Sequence, residues 1–382
     1  MEHKLKSMEK DINLLLSQLQ KMAPIFAENS CVVNRTVCNL AELEKMSCKD
    51  FWIFTKAAVP LRLYKYFPNT ENEDRVNYSI QSLVNNTVHL QAPSLFDDVY
   101  DSAINIDFFD YQRIALLNYC AKCEVGLQGI PTIDDLYLAL SDYVKNDVET
   151  NGNYTNIIRK PAANQIEELS NTIFVKELEL GCLHGLECED VIRGIIVKEY
   201  NEYKNNLKNK FCASCFTTTP YSQLMWSSYA DEHRGFCLEY TIDRNDSYFK
   251  DIYVNLFPMI YCKTRPNATE KMLYYKDKET TEDSLMDLYY YGALRKCIDW
   301  AYQDEWRLLL PAGFIKNKDG NINFFKATRV YLGNRMPTDR RREIIRICKE
   351  KNISYVGMVC KQNAFEMEEC EKLCENCQLC YE

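Results

Sequence analysis

The sequence predicts an α+β fold, a mixed and mostly antiparallel split-sheet core with an N-terminal helix and a large helical insertion. Three observations predict it. Short β-rich runs bounded by turn residues fall in two separated blocks, 59–109 and 211–361. The stretch 110–210 between them has only helical periodicity, and residues 4–22 carry a heptad seam. A length of 382 residues with 46% hydrophobic and 26% charged residues suits a globular chain of two domains or one elaborated domain.

In chain order, Leu5, Met8, Ile12, Leu15, Leu19 and Met22 alternate steps of three and four, the spacing of a coiled-coil helix. That helix either pairs with a second copy as a homodimer or packs on its own body. Pro24 stops it, and a helical stretch is expected to about residue 58. Leu61 to Phe67 reads as a strand ended by Pro68, Arg75 to Val84 as a helix, and Thr87 to Gln91 as a second strand. Helices are expected at Tyr111 to Cys123, Ile133 to Val144, Ala163 to Leu180 and Val191 to Leu207. Strands return at Phe211 to Thr217 and Gly235 to Tyr240, flanking a helix from Ser222 to Glu232. Asp251 to Cys262 predicts a long strand or a strand pair, and Glu282 to Trp300 a helix. The strand Glu305 to Leu310 follows, ended by Pro311; then come strand Arg329 to Leu332, helix Thr338 to Lys351 and strand Ser354 to Val359.

Charge narrows the partners. Lys plus Arg number 46 against 55 for Asp plus Glu, so the net charge of -9 opposes nonspecific binding to nucleic acid or to an acidic membrane. No run approaches the roughly 18 apolar residues of a membrane span, and the mixed-charge start is unlike a secretory signal, which predicts a cytoplasmic protein. In that compartment most of the 18 cysteines read as small buried apolar residues. Cys120/Cys123 and Cys212/Cys215 are expected to be core filler, the second pair with its thiols on opposite faces of a strand. The tail, residues 362–382, differs. Cys370, Cys374, Cys377 and Cys380 are spaced so that four thiolates can converge on zinc or an iron–sulfur cluster; the alternative is an unstructured or redox-labile tail.

Four segments concentrate polar and aromatic residues at strand ends. They are Leu63-Tyr64-Lys65-Tyr66, Phe96-Asp97-Asp98-Val99-Tyr100-Asp101, Cys215-Phe216-Thr217 with Leu224-Met225-Trp226-Ser227-Ser228-Tyr229-Ala230, and Trp300-Ala301-Tyr302-Gln303-Asp304-Glu305-Trp306-Arg307. Their order and wording resemble the bacterial family catalogued as domain of unknown function 2971. Departures from its pattern are Asp97, Val99, Ser228 and Gln303, which stand where the family usually has Asn, Pro, His and Glu.

The layout also resembles the NAD-dependent ADP-ribosyltransferase scaffold, which opens with a Leu-Tyr-His or Leu-Tyr-Arg strand and ends with a Glu-x-Glu or Gln-x-Glu pair starting a late strand. The resemblance implies NAD as substrate, an unknown macromolecular acceptor, and a role in phage defence or a toxin system. It implies Glu305 as the carboxylate that stabilises ribosyl oxocarbenium charge and Gln303 as the residue that orients the acceptor. Lys65, Thr217 and Thr218 would fix the dinucleotide, Tyr64 or Tyr66 would stack on nicotinamide, and Trp226 and Tyr229 complete the cofactor set. Asp97, Asp98, Asp101 and Arg307 form an accompanying polar group.

Other readings of these residues stand beside that one. Glu305 and Arg307, two apart on a strand, also fit structural ion pairs with each other or with Asp98 or Lys296. The chain would then be a non-catalytic ligand-binding or protein-interaction module. Asp97, Asp98, Asp101 and Glu305 also have the residue types of a magnesium-dependent nuclease, which the net charge disfavours.

Overall fold

The structure, a computed structural model, describes residues 30–71, 76–98, 100–102, 105–162, 165–265, 292–314 and 320–370. The heptad helix at 4–22, most of the helix expected from Glu282, and Cys374, Cys377 and Cys380 lie outside these residues.

The chain divides into two units, one built from residues up to 102, 210–264 and from 294 onward, the other from 103–209 and 265–293. The first opens with a hairpin of β1 (Ser30–Val33) and β2 (Thr36–Asn39) in place of the expected helical stretch. The reason is local: Asn34 and Arg35 both adopt positive φ, 47° and 61°, in the two-residue turn between the paired residues Val33 and Thr36. Helices α1 (Leu40–Glu44) and α2 (Cys48–Ala57) follow, each started by a side chain, Asn39 or Ser47, that accepts from a first-turn amide.

Next come β3 (Arg62–Phe67), α3 (Tyr78–Asn85) and β4 (Thr87–His89). The second unit supplies α4 (Phe108–Lys122), α5 (Ile133–Asn151), α6 (Gln165–Leu183) and α7 (Cys188–Leu207). Its helices bury Tyr111, Leu116, Leu140, Phe174 and Ile192, and Tyr119 stacks on Phe174 at 4.0 Å. Cys120 and Cys123 are both buried there.

Back in the first unit are β5 (Phe211–Thr217), α8 (Gln223–Tyr229) and β6 (Phe236–Thr241). Where Asp251 to Cys262 predicts a long strand or a strand pair, a short helix α9 (Lys250–Val254) precedes two strands, β7 (Leu256–Pro258) and β8 (Ile260–Cys262). The predicted helix ending at Trp300 is likewise replaced at its described end by β9 (Arg295–Cys297) and a 3-10 turn, Ile298–Gln303. Then come β10 (Glu305–Pro311), β11 (Asn321–Asn323), β12 (Ala327–Leu332), α10 (Thr338–Lys351), β13 (Ser354–Cys360) and β14 (Met367–Cys370). This last strand corrects the reading of residues from 362 onward as a separate tail, because 367–370 pair with β13.

The main sheet has the order β14-β13-β12-β6-β3-β5-β10-β7, antiparallel except for the β12–β13 pair. A smaller sheet runs β2-β1-β8-β9, and β11 pairs with β4. Alternation sorts the main sheet into two faces. Leu63, Phe67, Phe216, Leu238, Trp306, Leu308 and Val330 point into the larger core, with Ile80 and Leu83 of α3 and Ile344 of α10. Tyr64, Tyr66, Cys237 and Tyr331 point to the opposite face, against Trp226 and Met225 of α8. Glycine is required where the chain ends of β6 and β12 cross. A Cβ on Gly235 would lie 2.1 Å from the Phe67 carbonyl oxygen, and one on Gly333 2.1 Å from that of His233.

Candidate functional site

Glu305 begins β10 immediately after Asp304, which holds the left-handed conformation at φ 44° and breaks the preceding 3-10 turn. In the ladder Glu305 faces Thr217, and Thr217 faces Tyr64, so three polar side chains lie side by side on the face opposite the larger core. Glu305 is 5% exposed. Its Oε1 accepts from Arg307 Nε at 2.5 Å and its Oε2 from Lys296 Nζ at 2.8 Å, while Tyr261 Oη accepts from its backbone amide at 2.8 Å. Arg307 is fully buried, and its two terminal nitrogens donate to Asp101 at 2.7 and 2.5 Å, a bidentate pair. Lys296 also lies 3.2 Å from Asp101.

Two cations and two carboxylates thus cancel in a buried quartet. Burial by itself would raise the Glu305 carboxyl, but the adjacent Arg307 guanidinium and Lys296 ammonium outweigh it and hold the group well below the usual carboxylate range. Asp101 follows the same logic, burial opposed by Arg307, with a lowered result. Burial opposes the charged form of Lys296 too, yet Glu305 and Asp101 leave it raised. Cys215, on the same face opposite Arg307, is pushed up to about 12 by burial and by the Glu305 charge.

The quartet extends to the rim. Gln303 accepts from Lys296 Nζ at 2.7 Å and donates to Tyr229 Oη at 2.6 Å, and Tyr229 is 38% exposed. Lys296 lies 5.3 Å over the ring of Trp300. On the other side of Glu305, Arg35 from the hairpin tip pairs with Asp304 at 2.5 Å and donates to Thr218 Oγ1 at 2.8 Å, while Thr218 donates to Asp304. Beyond Arg35 opens a cleft of about 570 Å³ that Tyr221, Lys361 and Glu366 help to line. One polar atom in this region is unmatched: Thr217 Oγ1, in a side chain 1% exposed, meets no hydrogen-bond partner among the described residues.

The expected residues are therefore only partly gathered. Glu305, Gln303, Thr217, Thr218, Tyr229, Asp101 and Arg307 are brought together. Lys65 is not. It lies one residue off Tyr64 and so on the larger core's face, where its Nζ donates to Ser214 Oγ at 3.1 Å and the Cys215 carbonyl at 3.0 Å, and burial lowers its ammonium. Tyr64 shares the site's face but packs edge-on against Tyr331 at 5.9 Å, and Tyr66 packs on Trp226 at 5.2 Å and donates to the Thr219 carbonyl. Trp226 is buried and donates to the Pro220 carbonyl at 2.7 Å. Asp97 is exposed, Asp98 accepts from the Tyr100 amide, and Asp101 is occupied by Arg307.

Among the described residues no three His, Cys, Asp or Glu side chains are placed to hold a metal ion. Cys370, the one described member of the tail thiols, sits on β14 opposite Gly357. His233 is half-buried and stacks on Trp226 at 6.4 Å.

Sequence reasoning missed Arg35 and Tyr261 and gave Asp304, named within its segment, no role. For Arg35 a signal existed, since Val32-Val33-Asn34-Arg35-Thr36-Val37 is a turn pair between β-branched residues. Tyr261 had none, because its role depends on how β8 of the smaller sheet meets the start of β10.

Among the described residues no helix is long and apolar enough to cross a membrane. No curated protein and no solved structure matches the chain. The segment that supplies Tyr229, Tyr261, Lys296, Gln303, Glu305 and Arg307 falls within residues 225–308, which match the model of the family described as Protein of unknown function (DUF2971).

Proposed function

We propose that the Thr217–Glu305 face is a recognition site for a nucleotide or another ribose-bearing ligand, in a module that binds this ligand without turning it over. The observation that carries the non-catalytic part is the saturation of Glu305. Both of its oxygens are held by fixed cations, and a carboxylate neutralised this way has little charge left for a developing oxocarbenium ion. The displaced Lys65 removes a second member of the transferase layout. The binding part rests on the unmatched Thr217 hydroxyl, the partly exposed Tyr229 and the amide of Gln303, which are polar groups of the kind that read hydroxyls and amides.

ADP-ribosyl transfer is the second reading, favoured by the Gln303-Asp304-Glu305 start of β10 and by the Thr217 hydroxyl directly opposite Glu305. One experiment separates the two. NAD and ADP-ribose are titrated into the protein by calorimetry, and NAD consumption with cell extract is compared between the wild type and Glu305→Gln. Saturable binding with equal, background consumption in both supports the binding module. Consumption by the wild type that Glu305→Gln abolishes establishes the transferase instead, and absence of binding to either ligand removes the nucleotide from both readings.

A further inference from the structure

Four cysteines stand in one row across the smaller sheet. Cys38 is the Cα partner of Cys31, Cys31 of Cys262, and Cys262 of Cys297. Residues paired across neighbouring strands project to the same face, so the four side chains line one face of β2-β1-β8-β9. Tyr261 and Lys296, each one residue away from the row, project from the other face and reach Glu305. The row is graded in access: Cys297 is exposed, Cys38 half-buried, and Cys31 and Cys262 are buried.

A straight row of four strands spans ~14 Å between its outer members, too far for four thiolates to meet at one tetrahedral ion. Register pairs do satisfy another geometry. Opposed residues on antiparallel strands have Cα atoms ~4.5–5.5 Å apart, within the range that a disulfide bridges. Of the two partners of Cys31, Cys38 belongs to the same hairpin and is the more accessible; the Cys31 thiol donates to the Cys38 backbone carbonyl at 3.6 Å and the Cys38 thiol to the Thr36 carbonyl at 3.7 Å, so a turn of both side chains toward each other closes the bond.

We propose that Cys38 and Cys31 are a peroxide-reactive pair that closes to a reversible disulfide, independently of what the Thr217–Glu305 face binds. The Cys38 thiolate attacks the O–O bond of a peroxide; one oxygen transfers to sulfur as the sulfenic acid, and the other leaves as water or alcohol after taking a proton. The Cys31 thiol then attacks the Cys38 sulfur, the S–S bond forms, and the sulfenic hydroxyl leaves as water with the Cys31 proton. Two electrons pass from the two sulfurs to the peroxide. The bridge closes the hairpin whose tip carries Arg35, the residue tied to Asp304 and Thr218. Burial raises both thiols, Cys31 to about 12, so the reaction runs through a small thiolate fraction and quickens as pH rises.

The test treats the full chain with hydrogen peroxide, alkylates the remaining thiols and maps peptides by mass spectrometry. Cleavage after Arg35 leaves two peptides held together only by the bond. The expected result is a Cys31–Cys38 link reversed by dithiothreitol, and in Cys31→Ala a Cys38 sulfenic acid trapped by dimedone. The wild-type map stands whether or not that variant folds. The proposal is overturned if both cysteines are recovered alkylated, if Cys31 is joined to Cys262 instead, or if oxidation is confined to exposed thiols such as Cys297 and Cys360.

Discussion

Glu305 and Thr217 are Cα partners on adjacent antiparallel strands, and their side chains are in opposite conditions: both Glu305 oxygens are held by cations, whereas the Thr217 hydroxyl meets no partner among the described residues. A buried polar atom without a partner costs on the order of 1–3 kcal/mol, a cost that water or a ligand hydroxyl removes. The contrast separates the two residues by role. Glu305 holds the floor together, and Thr217 contributes a buried hydroxyl that the fold leaves unmatched among the described residues.

Thr217→Val tests that separation, because it keeps the shape and deletes the hydroxyl. The expected outcome is a denaturation midpoint unchanged or raised, by up to about 1 kcal/mol, together with roughly tenfold weaker nucleotide binding by calorimetry. Loss of stability with unchanged binding would assign the hydroxyl to the fold.

Arg307→Met is expected to destabilise by about 3–5 kcal/mol in urea titration, since it strands Glu305 and Asp101 with one lysine between them. Arg307→Lys keeps the charge but not the planar fork that spans Glu305 and Asp101, and should recover only part of the loss. Near-neutral behaviour of Arg307→Met would show that the quartet contributes little.

Acid should unfold the protein through this quartet. Glu305 and Asp101 have lowered values in the folded state, so their contribution is complete above the unfolded carboxylate range near ~4 and disappears as pH falls through the folded values. Lys296 is raised, so its contribution is complete below the unfolded lysine value near ~10.4 and is lost above it. Urea midpoints should therefore fall steeply below about pH 4, and Glu305→Gln should flatten that limb while lowering the midpoint at pH 7. An unchanged slope in the variant would remove Glu305 as its source.

Lys56 carries the opposite sign. It is 5% exposed, donates to the Leu256 carbonyl and lies 3.7 Å over the Phe257 ring, and burial lowers it to about 6. The unfolded chain binds a proton that the folded chain lacks between about pH 6 and the ordinary lysine value, so stability rises with pH across that window. Lys56→Met should stabilise by about 1–3 kcal/mol at pH 7, with the gain shrinking toward pH 10. A gain that is constant with pH would contradict the titration.

Gly235→Ala should be among the costliest single substitutions, more than about 2 kcal/mol by thermal melting, because the new Cβ meets the Phe67 carbonyl at 2.1 Å and backbone must move. Gly194→Ala, whose Cβ meets nothing within 4 Å, is the control expected to be neutral or stabilising.

Regular periodicity is legible in the residue order alone. Strand Phe211 to Thr217 and helix Thr338 to Lys351 keep their expected bounds, because one is a short run buried on both faces and the other covers the core with a 3.6-residue stripe. Elements of three to five residues are not legible in this way. Lys250–Val254, Leu256–Pro258 and Arg295–Cys297 are too short to show a period, and the conformation of the latter two is imposed by the strands beside them. The ion pairing of Glu305 with Arg307 and Lys296 is open to the sequence as one alternative; choosing it over a free catalytic carboxylate requires knowing that both oxygens are filled.

Residue order carries the local pattern: which residues alternate, which stretches have a helical stripe, and that Glu305 and Arg307 share one side of a strand. Adjacency, by contrast, is a property of the folded chain. Lys65 lies on the opposite face from Glu305, Arg35 from the first hairpin reaches Asp304 just before β10, and cysteines from three separate parts of the chain fall into one row, all because strand order and register are settled by long-range packing.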